Sequence, residues 1–149
     1  MLVALAVLEI GACAAQSPKN ILLVLADDVG TDALSLWNTN TGPNVSFPPT
    51  PNIDALAQQG IIFRNAYAYP SCSPTGCAIL TGRYGFRTGI GGAISDPGDP
   101  YLSPRDFTIA KALSANPQLG IRHTQIGKWH LSTNAIDPNS IGGWSHYSG

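Results

Sequence analysis

Apolar runs alternate along the chain with segments that carry helix signals. Residues 21–26, ILLVLA, form a continuous apolar run that ends in two aspartates. A run of this kind predicts a strand buried on both faces, as in a parallel sheet. Residues 61–69, IIFRNAYAY, have a strand-like composition. Residues 122–131, RHTQIGKWHL, predict a short strand and a following loop.

Two helix signals follow the first run. In residues 50–60, TPNIDALAQQG, Thr50 stands where a cap belongs, Pro51 suits the first turn and Gly60 suits the position after the last turn. A second helix is predicted to start at Pro74, which also suits a first turn.

A third helix is predicted over residues 105–116, RDFTIAKALSAN, with Asp106 as its candidate cap. The side chains expected to face inward are Phe107, Ile109 or Ala110, and Leu113. Strands that alternate with helices predict an α/β layer fold. These few elements fall short of a doubly wound sheet, so we expect the chain to be a fragment of a longer protein.

The composition then narrows the class of protein. Apolar residues make up 44% of the 149 residues and charged residues 11%, which excludes a disordered chain. The length suits one domain with a sizeable core. The formal net charge is −1 and no basic run occurs, so we expect no nucleic-acid partner.

The first 16 residues resemble an export signal. Their apolar stretch is too short to span a bilayer, and Ala12-Cys13-Ala14 forms a small-residue cleavage pattern. Residues 10–13 also resemble a bacterial lipoprotein signal, which would put a lipid on Cys13. Because no basic residue precedes the stretch and Glu9 interrupts it, a misassigned start or a buried first strand is the alternative. We expect an exported protein, periplasmic or extracellular, with membrane contact only if Cys13 is lipidated.

Asp27 and Asp28 follow the first predicted strand directly. In open α/β sheets the carboxyl ends of the strands form the edge where ligands bind. Adjacent carboxylates repel each other, and a divalent cation removes that cost. Oxygen ligands favour Ca²⁺ or Mg²⁺ over zinc. A solvated acidic loop or a helix cap is an equally good interpretation of the pair alone.

Cys72 precedes the second predicted helix, in the stretch SCSPTGCAILTGR. Free N–H groups and partial positive charge at a helix start favour an anionic nucleophile or substrate group. A disulfide with Cys77 is disfavoured, because five residues of helix separate the two Cα atoms by roughly 8 Å. Two small buried hydrophobic side chains are the remaining alternative, and this suits Cys77 better than Cys72.

Lys128 and His130 are two positions apart in GKWHL. On an extended backbone they point to the same side, and Trp129 points the other way, toward the core. A lysine and a histidine on one face suit an anionic substrate, since one neutralises charge and the other handles a proton. A surface lysine beside a backbone-bonded histidine is the alternative. His123 and His146 are interpreted as structural.

Taken together, these motifs resemble the N-terminal part of type I sulfatases, a formylglycine-dependent arylsulfatase family of the alkaline-phosphatase-like superfamily. The matching stretches keep the family's order and spacing from Asn20 to the last residue: NILLVLADDVG, TPNIDALAQQGIIFRNAYAYPSCSPT, AILTGRYGFRTGI, IGKWHLS and GGWSHYSG. The resemblance implies an α/β/α sandwich, here incomplete, with residues 17–149 as the N-terminal portion of a sulfatase catalytic domain.

The resemblance also implies a mechanism and its residues. Cys72 matches the cysteine that a formylglycine-generating or sulfatase-maturating enzyme oxidises, and one hydroxyl of the resulting diol attacks sulfur while the other later expels sulfate. Asp27 and Asp28 match ligands of a Ca²⁺ or Mg²⁺ ion that the residue at position 72 also contacts. Lys128 matches the sulfate-binding lysine, and His130 the histidine that holds the diol. The implied substrate is a sulfated small molecule or carbohydrate.

Gly76 departs from the family's Cys-x-Pro-x-Arg motif, which reads Cys72-Ser73-Pro74-Thr75-Gly76 here. In the family, the arginine at this position helps the maturation enzyme to recognise the site, and it steadies the formylglycine near the metal. Two alternatives stand beside a sulfatase, the first because its cation and anion chemistry is nearly the same and the second because of Gly76. One is a phosphatase or phosphonate esterase of the superfamily, with Cys72 or Thr75 as nucleophile. The other is a non-catalytic relative that binds a sulfated ligand. The family's further metal and substrate ligands lie beyond these 149 residues. We therefore expect the 149 residues alone to have little activity.

Overall fold

The computed structural model describes residues 20–37, 48–133 and 136–149. The export signal and Cys13 lie outside the described residues. Within the described ranges the helices and strands are, in chain order, α1 (Pro51–Gln59), α2 (Cys72–Thr81), α3 (Gly85–Thr88), α4 (Ile109–Ser114), β1 (Thr124–Ile126), α5 (Pro138–Gly142) and β2 (His146–Ser148). Two short 3₁₀ turns span Thr31–Ala33 and Pro117–Leu119. In this part of the chain no helix is both long and apolar enough to span a membrane.

The first two predicted helices are confirmed, with corrections at their ends. α1 begins at Pro51, and Thr50 precedes it without a side-chain cap, since its hydroxyl bonds the Asp54 carboxylate at 3.1 Å. Gly60 ends this helix in an extended conformation (φ −118°) and not a left-handed one. α2 begins at Cys72, two residues before Pro74, because a proline fits anywhere in a first turn, where no N–H is needed.

The third helix is shorter than predicted, and Asp106 is not its cap. Thr108 caps α4, since its hydroxyl accepts a hydrogen bond from the Lys111 N–H at 3.1 Å. Because the helix starts at residue 109, Phe107 lies before it, and the apolar stripe shifts. Ala110 is fully buried, whereas Phe107 and Ile109 are 64% and 54% exposed. The prediction that Phe107 faces inward is therefore wrong.

β1 and β2 pair in parallel, with Thr124 opposite His146 and Ile126 opposite Ser148. The strand predicted within residues 122–131 is thereby confirmed, and the loop after it begins at Gly127, whose N–H donates to the Ser148 carbonyl at 2.7 Å. The described residues thus combine helices with a small parallel sheet, as in an incomplete α/β fold.

The strand predicted over residues 21–26 is absent from the structure. The segment is not paired to another strand, and Ile21, Leu22 and Val24 are 92%, 87% and 77% exposed. A strand buried on both faces needs partners at its edges and layers above and below it. The described residues supply neither, since their sheet contains β1 and β2 alone. Residues 61–69 likewise form no strand.

The core lies beneath α2 and is small. Cys77 of α2 packs there with apolar residues from two loops and from α5: Ile90, Ile94, Leu102, Leu131 and Ile141. The Leu102 N–H donates to the Leu131 carbonyl at 2.8 Å, which ties the first loop to the segment after β1. This packing places residues 128–132 against the start of α2, where the candidate site lies.

Candidate active site

Cys72 occupies the first position of α2 and is half-buried. Ser71, in an extended conformation (φ −152°), precedes the helix and offers no side-chain cap. The first N–H groups of a helix have no partner within it, so this end carries partial positive charge. The local fold therefore sets the Cys72 sulfur where a negative charge is stabilised.

His130 lies beside Cys72 although 58 positions separate them in the sequence. The Cys72 Sγ to His130 Nδ1 distance is 3.0 Å, and His130 Nε2 lies 2.8 Å from the Ile94 carbonyl oxygen. Because a carbonyl only accepts, Nε2 must carry a proton there. In the neutral imidazole Nδ1 is then the acceptor and faces the side chain at position 72.

The pKa of Cys72 lies below its ordinary value. Desolvation, the largest effect, acts to raise it, but the hydrogen bond and charge of His130, the charge of Lys128 and a hydrogen bond with Ser73 outweigh this. Burial raises the pKa of Cys77, in contrast, and its side chain is fully buried in the core. Both cysteines are free, so the Cys72–Cys77 disulfide is absent.

Lys128 joins this site to the aspartate pair. Its Nζ lies 2.7 Å from Asp27 Oδ2, across 101 positions of sequence, and both side chains are about half exposed. The hydrogen bond to Asp27 is the main reason why the pKa of Lys128 lies above its ordinary value. Trp129 between the two site residues is partly buried against the core, as predicted.

Backbone strain marks the same residues. Asp28 and His130 have φ values of 54° and 46°, a left-handed conformation that is costly for side chains other than glycine. Gly127, with φ 99°, precedes Lys128 and makes the turn out of β1. Strain of this kind persists where surrounding contacts hold it, and it clusters at active sites.

The donors for a cation fit Ca²⁺ or Mg²⁺ in kind and are too few in number. Asp27 and Asp28 offer carboxylate oxygens, and Lys128 already places a positive charge on one of them. Ca²⁺ takes about six to eight oxygen ligands. Among the described residues no group of three or more His, Cys, Asp or Glu side chains is arranged to hold a metal. Other ligands would have to complete the site.

Gly76 faces the core side of the site. A Cβ added there would lie 3.6 Å from the nearest Leu131 carbon, an ordinary van der Waals distance. Arg83, seven positions further along the chain, pairs with Asp106 at 3.2 Å. The Arg87 guanidinium lies over the Phe86 ring, 5.4 Å from its centroid.

The other histidines are engaged elsewhere. His123 Nε2 lies 3.1 Å from the Ser114 hydroxyl, and its Nδ1 accepts the Ser145 N–H at 3.4 Å. His146 belongs to β2.

Thr75 is the alternative nucleophile. Its hydroxyl donates to the Ser71 carbonyl at 2.8 Å, a common bond for a threonine near the start of a helix. Because this hydroxyl is engaged, Cys72 is the better nucleophile.

Comparison with known proteins places the chain in a family. The sulfatase family model matches residues 19–146. The chain belongs to the sulfatase family. It is 37% identical over 122 residues to Arylsulfatase D of Homo sapiens, covering 77% of this chain and 19% of that protein. It is 35% identical over 128 residues to N-acetylgalactosamine-6-sulfatase of Homo sapiens, covering 81% of this chain and 23% of that protein.

A solved structure is also similar to this chain in three dimensions. The crystal structure of Ps i-CgsB superposes with a TM-score of 0.67 at 29% identity, over 84% of this chain and 26% of that one. This confirms the α/β fold. The chain thus spans about a fifth to a quarter of the length of these proteins.

Sequence reasoning found Asp27, Cys72, Lys128 and His130, which the structure brings together, and missed two supporting residues. Ile94 supplies the carbonyl that His130 contacts, and Ser73 contacts Ile94. Ser73 is visible in the sequence only as a polar residue inside the cysteine motif. Ile94 acts through its backbone, which leaves no signal in residue type.

Proposed function

We propose that the protein is a sulfuric ester hydrolase whose nucleophile is a formylglycine made from Cys72. The contact that carries the proposal is the 3.0 Å approach of Cys72 to His130 in a member of the sulfatase family. The Lys128–Asp27 pair adjoins it. A formylglycine at position 72 would supply an aldehyde hydrate as nucleophile toward the sulfur of the ester.

Each residue then has a defined task. His130 holds the side chain at position 72 through Nδ1 and can accept a proton there, because Nε2 is committed to Ile94. Lys128 neutralises the sulfate group. Asp27 keeps the Lys128 ammonium group charged and oriented. Asp27 and Asp28 would hold a Ca²⁺ or Mg²⁺ ion, and such an ion would supply further positive charge at the ester.

We infer the substrate and partners from the same chemistry. A sulfated small molecule or carbohydrate is the substrate class, and N-acetylgalactosamine-6-sulfatase among the relatives supports the carbohydrate. A formylglycine-generating or sulfatase-maturating enzyme is the required partner. From the first 16 residues we also infer export to the periplasm or the cell exterior, with membrane contact only if Cys13 carries a lipid.

The test is coexpression of the protein, at its natural full length, with a formylglycine-generating enzyme. The mass of the Cys72 peptide reports conversion, and hydrolysis of aryl sulfate is compared with that of aryl phosphate. We expect conversion, a preference for sulfate, and losses of roughly a hundredfold for Lys128→Ala and His130→Ala. Preference for phosphate would favour the phosphatase alternative.

Gly76 favours one other function, a non-catalytic protein that binds a sulfated ligand. In the family the residue at this position is an arginine, which glycine cannot replace as a cation. Sulfate binding without conversion of Cys72 and without turnover, in the same experiment, would establish this second function.

A further inference from the structure

Ser73 is a buried polar residue whose contact belongs to the site. Its side chain follows Cys72 in the first turn of α2 and is 1% exposed. The Ser73 hydroxyl accepts a hydrogen bond from the Ile94 N–H at 3.3 Å, inside the protein. A buried hydroxyl is expensive without a partner, so this bond fixes Ser73 and the loop relative to each other.

Ile94 passes this constraint on to His130. Its side chain is 7% exposed and belongs to the core, so the residue has little freedom to move. The Ile94 carbonyl accepts from His130 Nε2 at 2.8 Å. His130 Nδ1 in turn lies 3.0 Å from Cys72, the residue bonded covalently to Ser73. The contacts therefore form a closed ring of four residues.

We propose that Ser73 is a positioning residue that acts through Ile94 to hold the proton of His130 on Nε2, so that Nδ1 faces position 72 as an acceptor. The cycle of contacts is observed in the structure. That it contributes to catalysis rests on the proposed function. The cycle of contacts also explains how His130 keeps its left-handed backbone (φ 46°), since both imidazole nitrogens are held by partners.

Removal of the hydroxyl should release the ring at one point. In Ser73→Ala the Ile94 N–H would be buried without its acceptor, so the loop should shift toward another one. The Ile94 carbonyl would move with it and weaken its bond to Nε2. The two neutral tautomers of His130 then become closer in free energy.

The experiment reads the tautomer directly by ¹⁵N NMR of protein labelled at histidine, of which this chain contains three. Cys72→Ser serves as the background, expressed without a maturation enzyme, because a serine hydroxyl stays protonated near neutral pH. In the neutral imidazole of His130 we expect the Nε2-protonated tautomer to dominate, because Nε2 faces the Ile94 carbonyl. Adding Ser73→Ala should lower the tautomer ratio roughly threefold or more, the order of one neutral hydrogen bond.

Thr108→Val is the matched control, since it also removes a hydroxyl that is 1% exposed, from the cap of α4. It should lower the melting temperature and leave the tautomer ratio of His130 unchanged. Equal shifts in both variants, or an unchanged ratio in Ser73→Ala, would overturn the proposal. Should Ser73→Ala not fold, a proton on Nδ1 in the background protein would overturn it, and a proton on Nε2 would support it.

Activity separates this proposal from the proposed function. In matured full-length protein, Ser73→Ala should lower kcat with KM little changed, because substrate is bound by other groups. A parent protein without sulfatase activity whose tautomer still depends on Ser73 would refute the function and keep the positioning role. An active Ser73→Ala variant with the parental kcat would refute the positioning role alone.

Discussion

At the scale of single residues, two cysteines of one helix have opposite environments. Cys72, at the start of α2, is half-buried beside His130, whereas Cys77 is fully buried. The contrast follows from the helix, which turns position 77 toward the core and leaves position 72 at the end. Chemistry and packing are thus separated within six residues of sequence.

We predict that iodoacetamide alkylates Cys72 before Cys77 in the unconverted protein. The pKa of Cys72 is lowered, so its thiolate fraction at neutral pH exceeds that of an ordinary cysteine. The pKa of Cys77 is raised by burial, so its thiolate forms only at higher pH. Peptide mass spectrometry over time and pH measures both rates. Faster labelling of Cys77 in the folded protein would contradict the prediction.

A second residue-scale prediction concerns Gly76. We expect Gly76→Arg, at natural full length, to raise both conversion of Cys72 and sulfatase turnover, the latter roughly tenfold or more, the order of one charged donor. The first side-chain atom has room, since it would lie 3.6 Å from Leu131. An arginine presents five donors in a planar fork, suited to an oxyanion or diol.

The mass of the Cys72 peptide and aryl sulfate hydrolysis, after coexpression with the maturation enzyme, measure both effects. Gly76→Ala is the control for side-chain bulk without charge. A parent that is already fully converted and active would show that Gly76 is no defect. A converted but inactive arginine variant would favour the non-catalytic function.

At the scale of elements, the turn after β1 positions the segment that carries Lys128 and His130. Gly127 adopts φ 99° and starts the loop that presents Lys128 and His130. The Tyr147 hydroxyl donates to the Gly127 carbonyl at 3.0 Å, which ties the turn to β2. A residue with a Cβ would be strained here for its backbone alone, because no atom lies within 4 Å of the added carbon.

We therefore predict that Gly127→Ala destabilises the protein by about 1–2 kcal/mol, the cost of a left-handed conformation in a non-glycine residue. Urea unfolding of parent and variant measures the difference. Gly91→Ala is the matched control, since its added Cβ also meets no atom within 4 Å and its φ is not positive. Equal free energies of unfolding in the two variants would refute the conformational explanation.

At the scale of the whole molecule, an ion pair connects the first described segment, residues 20–37, to the loop after β1. Asp27 and Lys128 are in contact although 101 positions separate them. This contact holds the aspartate pair on the same side of the molecule as the cysteine motif. An exposed pair contributes little stability by itself. Its importance lies in bringing the candidate cation ligands close to the candidate nucleophile.

The whole-molecule prediction concerns Ca²⁺. In the full-length protein, Ca²⁺ at a hundredfold excess over its Kd should stabilise the fold by about 2.7 kcal/mol. The double variant Asp27→Asn, Asp28→Asn should lose this gain, because it removes both carboxylates. Thermal unfolding with and without Ca²⁺ measures it, and NaCl at equal ionic strength controls for screening. An equal Ca²⁺ shift in parent and double variant would refute the assignment.

The sequence by itself predicted the family, the candidate site residues and the approximate helices, because these depend on local signals. Residue type alone indicates the chemistry of the cysteine motif, the aspartate pair and GKWH. Prolines predict where the helices start to within a few positions. Only tertiary structure decided that Thr108 and not Asp106 caps α4, since Asp106 is drawn to Arg83. It also decided the surroundings of residues 21–26, because an apolar run becomes a buried strand only where other strands and helices cover it. The Ile94 carbonyl was likewise beyond the sequence, since every residue has one and only the fold aims it at His130.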